Sequence, residues 1–331
     1  MIIGLLYFGH QDVLEIPNSQ TFDGEWGTPM VINITADCFK SVPILIHLLW
    51  LSSNEQKSYL ITKELSLGTL HRCFKSDGNE SNDSIFQHIV VGIAPYGGVA
   101  VWANGFKKSV LVDWLHAEEV QEVTNELLPM DRQEEALEDY YDYYLTEDDG
   151  YYDDISLPPR YLFDRYMQQF CYRYLPMFQQ WDEENEQWIQ LEPDDEAPLP
   201  ELDYIQDALF DGTHDKLHDD GLMIYHMAGK PKKLALQWHV GKKDYTAHVW
   251  MENEEICTVF DRFYGNHRDT KVDFIIRIDP YKKKYQLALY RYGLKKPVTI
   301  SEDAYQMIVF KDQFEYYRSD NYDQPDGAWD W

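Results

Sequence analysis

Apolar residues fall two apart along several short runs of this chain, and residues suited to turns separate the runs. Ile89-Val90-Val91, Val99-Ala-Val-Trp102 and Val110-Leu-Val112 are punctuated by Pro95-Tyr-Gly-Gly98 and Asn104-Gly105. Runs this short, rich in β-branched side chains and broken by glycine, predict an antiparallel meander. The period then changes: Val120, Val123, Leu127 and Leu128 recur at helical spacing behind Glu118 and Glu119, and predict a helix that Pro129 ends.

The same plan returns in the second half. Leu234, Leu236 and Trp238 alternate, Gly241-Lys-Lys243 turns, and Tyr245, Ala247 and Val249 alternate back. Ile256, Val259, Phe260 and Phe263 then form the inward stripe of a helix closed by Gly265. Trp114-Leu-His-Ala-Glu-Glu-Val-Gln-Glu-Val123 aligns with Trp250-Met-Glu-Asn-Glu-Glu-Ile-Cys-Thr-Val259, which reads as a diverged tandem duplication. Further on, Phe274, Ile276 and Ile278 face Tyr285, Leu287 and Leu289 across a lysine-rich turn. A helix is expected to open at Ser301, with Glu302 and Asp303 in its first turn and Tyr305, Ile308, Val309 and Phe310 on its apolar side. The apolar run after Met1 reads as a first strand. Together these elements predict an α+β protein of two related antiparallel β-sheet plus helix domains, 1–130 and 161–331, joined by an acidic, tyrosine-rich arm at 131–160.

Charge sharpens the picture. Of a net charge of -29, the stretch 131–220 carries 27 Asp and Glu against five Lys and Arg, whereas 221–331 is nearly balanced. Phosphate-backbone binding needs clustered cations, so nucleic acid is excluded as a partner. Within the acidic stretch stand Asp139, Tyr140, Tyr141, Asp142, Tyr143 and Tyr144, then Asp148 and Asp149, then Tyr151, Tyr152, Asp153 and Asp154. Carboxylates steer a basic partner and tyrosine rings bury area at low entropic cost, so these twelve residues are the expected partner-binding surface. Solvation of a linker by the same charges is the competing reading. Cys38, Cys73, Cys171 and Cys257 lie far apart and predict mostly buried thiols in a reducing compartment. The run from Val42 to Leu51, broken by Pro43 and His47, is too short to span a bilayer. With no leader or lipidated cysteine legible, the expected address is the cytoplasm and no membrane contact is foreseen.

Motifs for chemistry are sparse. His214 and His218 stand four apart with Asp215 between them and Asp211, Asp219 and Asp220 nearby, a spacing that puts both imidazoles on one helical face for a metal. Gly212 and Gly221 bracket the segment, favouring a solvated acidic loop, so no metal is expected. Asp77-Gly-Asn-Glu-Ser-Asn-Asp83 alternates oxygen donors as a calcium loop does, but His88 stands where a bidentate Glu is needed. His239 and His248 alternate with Trp238 and Val249, and so should face away from them. Gly92-Ile-Ala-Pro-Tyr-Gly-Gly98 lacks the Lys-Ser/Thr of a phosphate loop, and no nucleophile motif is present. No catalytic residue or cofactor is therefore predicted.

Phe260-Asp-Arg-Phe-Tyr-Gly265, Asp273-Phe-Ile-Ile-Arg-Ile-Asp279, Leu287-Ala-Leu-Tyr-Arg-Tyr-Gly293, the segment Tyr317 to Trp331 and Gly92 to Trp102 resemble the enterobacterial DUF2931 family of unknown function. Members of that family often resemble immunity proteins or lipoproteins encoded beside secreted antibacterial toxins. The resemblance implies toxin neutralisation by a non-enzymatic binder of a basic protein. A hydrolase with a metal near His214 and His218, or a structural or regulatory partner in a bacterial complex, are the alternatives.

Overall fold

The computed structural model describes residues 2–8, 12–16, 42–52, 55–75, 86–105, 107–121, 160–191 and 198–323. The chain divides into two compact units, Met1–Asp164 and Arg165–Trp331.

In the first unit β1 (Ile2–Phe8), β2 (Asp12–Ile16), β3 (Leu45–Ser52), β4 (Lys57–Glu64), α1 (Leu67–Phe74), β5 (Phe86–Ala94), β6 (Gly98–Gly105), β7 (Ser109–His116) and β8 (Glu118–Val120) build two sheets. One is an antiparallel sheet in the order β2-β1-β3-β4-β8, and the other is the meander β5-β6-β7. The alternation of β3 sends Ile46, Leu48 and Trp50 inward, where they join Tyr59, Ile61, Leu65, Leu70, Val99 and Val101 in one core. The meander follows the expected turns, pairing Val91 with Val101 and Ala100 with Trp114. At Pro95–Gly97 the chain makes a 3-10 turn with φ of 62° at Tyr96 and 78° at Gly97. No side chain fits at the two glycines there, since a Cβ on Gly97 would lie 3.0 Å from the Ala117 carbonyl oxygen and one on Gly98 would lie 2.3 Å from the Trp114 ring.

The helix expected from Glu118 does not begin there. Glu118–Val120 instead extends the sheet as β8, pairing Leu60 with Glu118 and Ser58 with Val120, and Lys57 Nζ meets Glu119 Oε2 at 2.7 Å. The open edge of β4 supplies backbone partners that outweigh a helical periodicity in a segment this short. Val123, Leu127 and Leu128 lie outside the described residues.

After α2 (Arg160–Tyr166) the second unit comprises β9 (Phe170–Asp182), β10 (Gln187–Gln190), β11 (Pro200–Leu209), β12 (His214–Leu217), α3 (Asp219–Leu222), β13 (His226–Ala228), β14 (Pro231–Val240), β15 (Lys243–Met251), α4 (Asn253–Tyr264), β16 (Val272–Asp279), β17 (Lys284–Arg291), β18 (Val298–Thr299), β19 (Tyr305–Lys311) and β20 (Phe314–Arg318). One sheet runs β10-β9-β16-β17-β18, with β13 also on β9; the other runs β12-β11-β14-β15-β19-β20. The β9–β16 pair is parallel, and the other pairs are antiparallel. Both expected hairpins form: Leu234, Leu236 and Trp238 oppose Val249, Ala247 and Tyr245, and Phe274, Ile276 and Ile278 face Leu289, Leu287 and Tyr285 as foreseen. The inner faces of both sheets and the buried side of α4 (Ile256, Phe260 and Tyr264) share one core. Gly265 ends the helix at φ 55°, its amide donating to the Asp261 carbonyl at 2.9 Å.

The helix foreseen at Ser301 is a second correction. Ser301 Oγ does accept from the Asp303 amide, at 3.4 Å, but it caps only a 3-10 turn, Glu302–Ala304. Tyr305–Lys311 then runs as β19 against β15, with Tyr305, Met307 and Val309 in the main core. Ile308 packs on the other face with Trp250. Its apolar side chains serve two faces of a sheet, so they crowd together in a way that also matches a helical stripe.

These differences change the fold class. With 57% of the described residues in strands and 16% in helices, the protein is β-rich and built from several sheets, and is not the α+β pair of sheet-plus-helix domains expected. Trp102 and Trp238 are both fully buried on a strand flanked by two antiparallel neighbours, β6 between β5 and β7 and β14 between β11 and β15. The two units differ around them: β5-β6-β7 is a meander that leads into β8, whereas β12 and β13 intervene between β11 and β14 and the chain goes on from β15 into α4. Of the expected arm at 131–160, Arg160 alone is described.

Candidate functional site

All twelve residues expected to bind a partner, from Asp139 to Asp154, lie outside the described residues, as does Asp77–Asp83. Among the described carboxylates of the acidic stretch, one set lies on a hairpin tip and another in the core.

The tip joins β9 to β10. Glu183, Glu184 and Glu186 are exposed there. Asp182 folds the turn by accepting from Asn185 Nδ2 at 2.8 Å and from the amides of Glu184 and Asn185 at 3.0 and 3.3 Å. The side-chain bond from Asn185 is the main reason its carboxyl titrates below the usual range, so it stays charged. Immediately behind the tip Trp181 and Trp188 sit opposite each other, ring centroids 5.4 Å apart and edge to face. Lys282 approaches Glu183 to 3.9 Å, a contact that exposure leaves weak. Acid beside aromatic ring, the pattern of the tyrosine segment, is therefore also present on a folded surface.

The histidine segment differs from expectation. His214–Leu217 is strand β12, neither helix nor loop. Four residues along a strand separate His214 and His218 by about 13 Å, so their spacing does not bring the imidazoles together. His218 Nδ1 lies 3.1 Å from the Asp203 carbonyl oxygen. Among the described residues no three His, Cys, Asp or Glu side chains converge as a metal would require. Asp211, taken as a surface acid, is fully buried: its Oδ1 accepts from the Thr213 amide at 3.0 Å and from the Thr213 hydroxyl at 2.6 Å. His239 and His248 are part-buried beside the buried Trp238 and Val249, as alternation required.

Around Asp211 lies a polar cluster inside the second unit. Asp207, 2% exposed, projects inward from β11 between the inward Ile205 and Leu209. Its Oδ2 accepts from the Tyr174 hydroxyl at 2.9 Å and its Oδ1 from the Asp215 amide on β12 at 2.8 Å. Tyr174 also hydrogen-bonds Tyr172, two residues back on the same face of β9, and Tyr172 donates to the Gly229 carbonyl at 2.7 Å. Burial, then the charge of Asp215, pushes the Asp207 carboxyl up to about 7. Burial likewise raises both phenols, so they remain protonated donors. Nearby, Lys230 is fully buried, with Nζ donating to the Arg165 carbonyl, 3.8 Å from Asp261 Oδ1 and 4.8 Å from the Phe170 ring centre; burial depresses its titration.

Sequence reasoning missed Asp207. An acid in phase with Ile205 and Leu209 on an alternating strand was the available signal. Lys230 carried no comparable signal. The glycine turn tested as a phosphate loop already holds an anion of its own, because the Tyr96 amide donates to the Glu55 carboxylate at 3.0 and 3.1 Å. Tyr59 and Ser52 hydroxyls donate to the same carboxylate at 3.0 and 2.8 Å, fastening the turn to β3 and β4.

No helix among the described residues is long and apolar enough to cross a membrane. Comparison with curated proteins and with solved structures finds no match. The strings of the C-terminal half that suggested a family lie outside the segment a family model recognises, whereas Gly92–Trp102, with its glycine turn, lies inside it. That segment falls within the first unit, and over residues 7–155 the chain matches the model of the family described as Protein of unknown function (DUF2931).

Proposed function

We propose that this is a non-enzymatic protein-binding protein, an immunity protein acting in the cytoplasm that occludes a basic antibacterial toxin through its acidic, aromatic-rich middle. The observation that carries the reading is the segregation of charge: 27 acids against five bases in 131–220, beside a nearly neutral C-terminal third. The β9–β10 tip supports it, since exposed Glu183, Glu184 and Glu186 next to the Trp181–Trp188 pair offer steering charge with an aromatic anchor. The buried acids take no part in this reading; Asp207 and Asp211 are engaged by tyrosine, threonine and backbone groups.

Co-purification from the native host should recover one partner of net positive charge, and cells expressing that partner should survive when this protein is present. Replacing Asp139, Asp142, Asp148, Asp149, Asp153 and Asp154 with Asn should weaken its binding by about tenfold or more at low salt. The difference should shrink towards about 1 M salt, where screening acts over only a few ångströms. Titration calorimetry at both salt levels reads the effect. Equal affinity of the two proteins at low salt, or a partner that is itself acidic, would remove the assignment.

A further inference from the structure

Among the described residues, no cation faces the acid in the core of the second unit. The titratable groups turned towards Asp207 are Tyr172 and Tyr174 from β9, Asp215 from β12 and Asp211 from the turn between β11 and β12. From α4, Tyr264 acts on Tyr172. His214 stands beside Asp215 on β12 and is itself held towards its neutral form, mainly by burial. The lysines of neighbouring strands are engaged elsewhere: Lys216 Nζ lies 3.6 Å from the Tyr204 ring centre, and Lys233 acts on His248. Lys230 turns to Arg165 and Asp261.

Hydrogen-bond direction then depends on one proton. With Asp207 protonated, its hydroxyl donates to Tyr174, Tyr174 donates to Tyr172, and Tyr172 donates to the Gly229 carbonyl, so every oxygen in the row has a donor or acceptor. With Asp207 ionised, Tyr174 turns its proton back to the carboxylate and the Tyr172 oxygen loses its donor. The new charge, buried in the core, also faces those of Asp211 and Asp215. Hydrating it is easiest from one side, because β12 is a four-residue strand that, among the described residues, is paired only with β11 at the edge of its sheet.

We propose that Asp207 is a proton-operated latch: its proton holds β12 and the β11–β12 turn closed over the tyrosine row, and its loss with rising pH releases that edge. The sign follows from linkage. The folded protein binds this proton more tightly than the unfolded chain does, so stability from the site is complete below the unfolded carboxyl range near pH ~4. It declines as pH rises through the folded value of about 7 and is flat above it.

Amide hydrogen exchange of the full chain between about pH 5 and pH 9, corrected for intrinsic exchange, tests the latch. Protection of the Asp215 and Lys216 amides should fall by up to about tenfold per pH unit until Asp207 is ionised. Amides of the β14–β15 hairpin should hold their protection. Asp207→Asn, whose amide can donate to Tyr174 as the protonated acid does, should flatten the profile. Should that variant not fold, the wild-type protein still decides, since its infrared carboxylic-acid carbonyl band must vanish over the pH range in which β12 loosens. A pH-independent β12, an unchanged profile in Asp207→Asn, or a carboxylic-acid band already absent below neutral pH would overturn the proposal.

Discussion

Gly229→Ala is expected to destabilise the second unit by about 3 kcal/mol, the upper end of what overpacking a closed core costs. Gly229 is buried between β13 and β14, and a Cβ there would lie 2.5 Å from Asp211 Cγ and 2.6 and 2.7 Å from its two carboxylate oxygens. Asp211 cannot swing aside cheaply, because the Thr213 amide and hydroxyl both hold its Oδ1 in a fully buried setting. The backbone cannot shift freely either, since the Gly229 carbonyl accepts from Tyr172 at 2.7 Å. One methyl group therefore disturbs two sets of buried hydrogen bonds, each costly to leave unmade. Urea unfolding of Gly229→Ala, Asp211→Ala and the double variant separates the causes. The carboxylate is absent in Asp211→Ala, so adding Gly229→Ala to it should cost far less than adding it to the wild type. Additive losses, or an unchanged midpoint for Gly229→Ala alone, would contradict the packing argument.

What was legible in the chain is what short-range chemistry determines. The β14–β15 hairpin was legible as two alternating strands about a turn because one face is buried: a one-residue slip would carry Leu234, Leu236 and Trp238 out of the core. Helix α4 was legible because a stripe of Ile256 and Phe260 ends at a glycine whose φ of 55° suits few other residues. Glu118–Val120 and Tyr305–Lys311 were misjudged because each is a strand by virtue of a neighbour far along the chain, β4 for one and β15 for the other. Local periodicity does not contain such a neighbour. The polar core was hidden for the same reason. Alternation marks Asp207 as inward, but that its partner is Tyr174, 33 residues earlier on a strand of the opposing sheet, emerges only when the two sheets face each other. The acidic stretch, the most visible feature of the composition, thus contains carboxylates of opposite character: Glu183 and Glu184 exposed on a hairpin tip, Asp207 and Asp211 sealed inside.

The aromatic packing behind that polar core sets the last expectation. Phe260 on α4 is fully buried, its ring centre 5.4 Å from Phe170, 5.8 Å from Tyr172, 5.8 Å from Tyr264 and 6.3 Å from Phe274. Phe260→Ala should cost about 3–5 kcal/mol, from lost transfer energy plus a cavity that strands on one side and a helix on the other cannot close. Phe314→Ala, which removes a ring 78% exposed at the start of β20, should stay within about 0.5 kcal/mol. Denaturant midpoints at constant slope compare the two; similar losses would show that Phe260 is not the hub its contacts describe. A second readout ties the packing to the latch. The cavity opens beside Tyr172, the far end of the row that begins at Asp207. Water admitted there lowers the burial cost that raises the Asp207 carboxyl, so the pH dependence of stability should be shallower in Phe260→Ala than in the wild-type protein. A profile that keeps its full slope after the cavity is made would mean that Tyr172 stays dry and that the aromatic core and the proton-binding row are energetically separate.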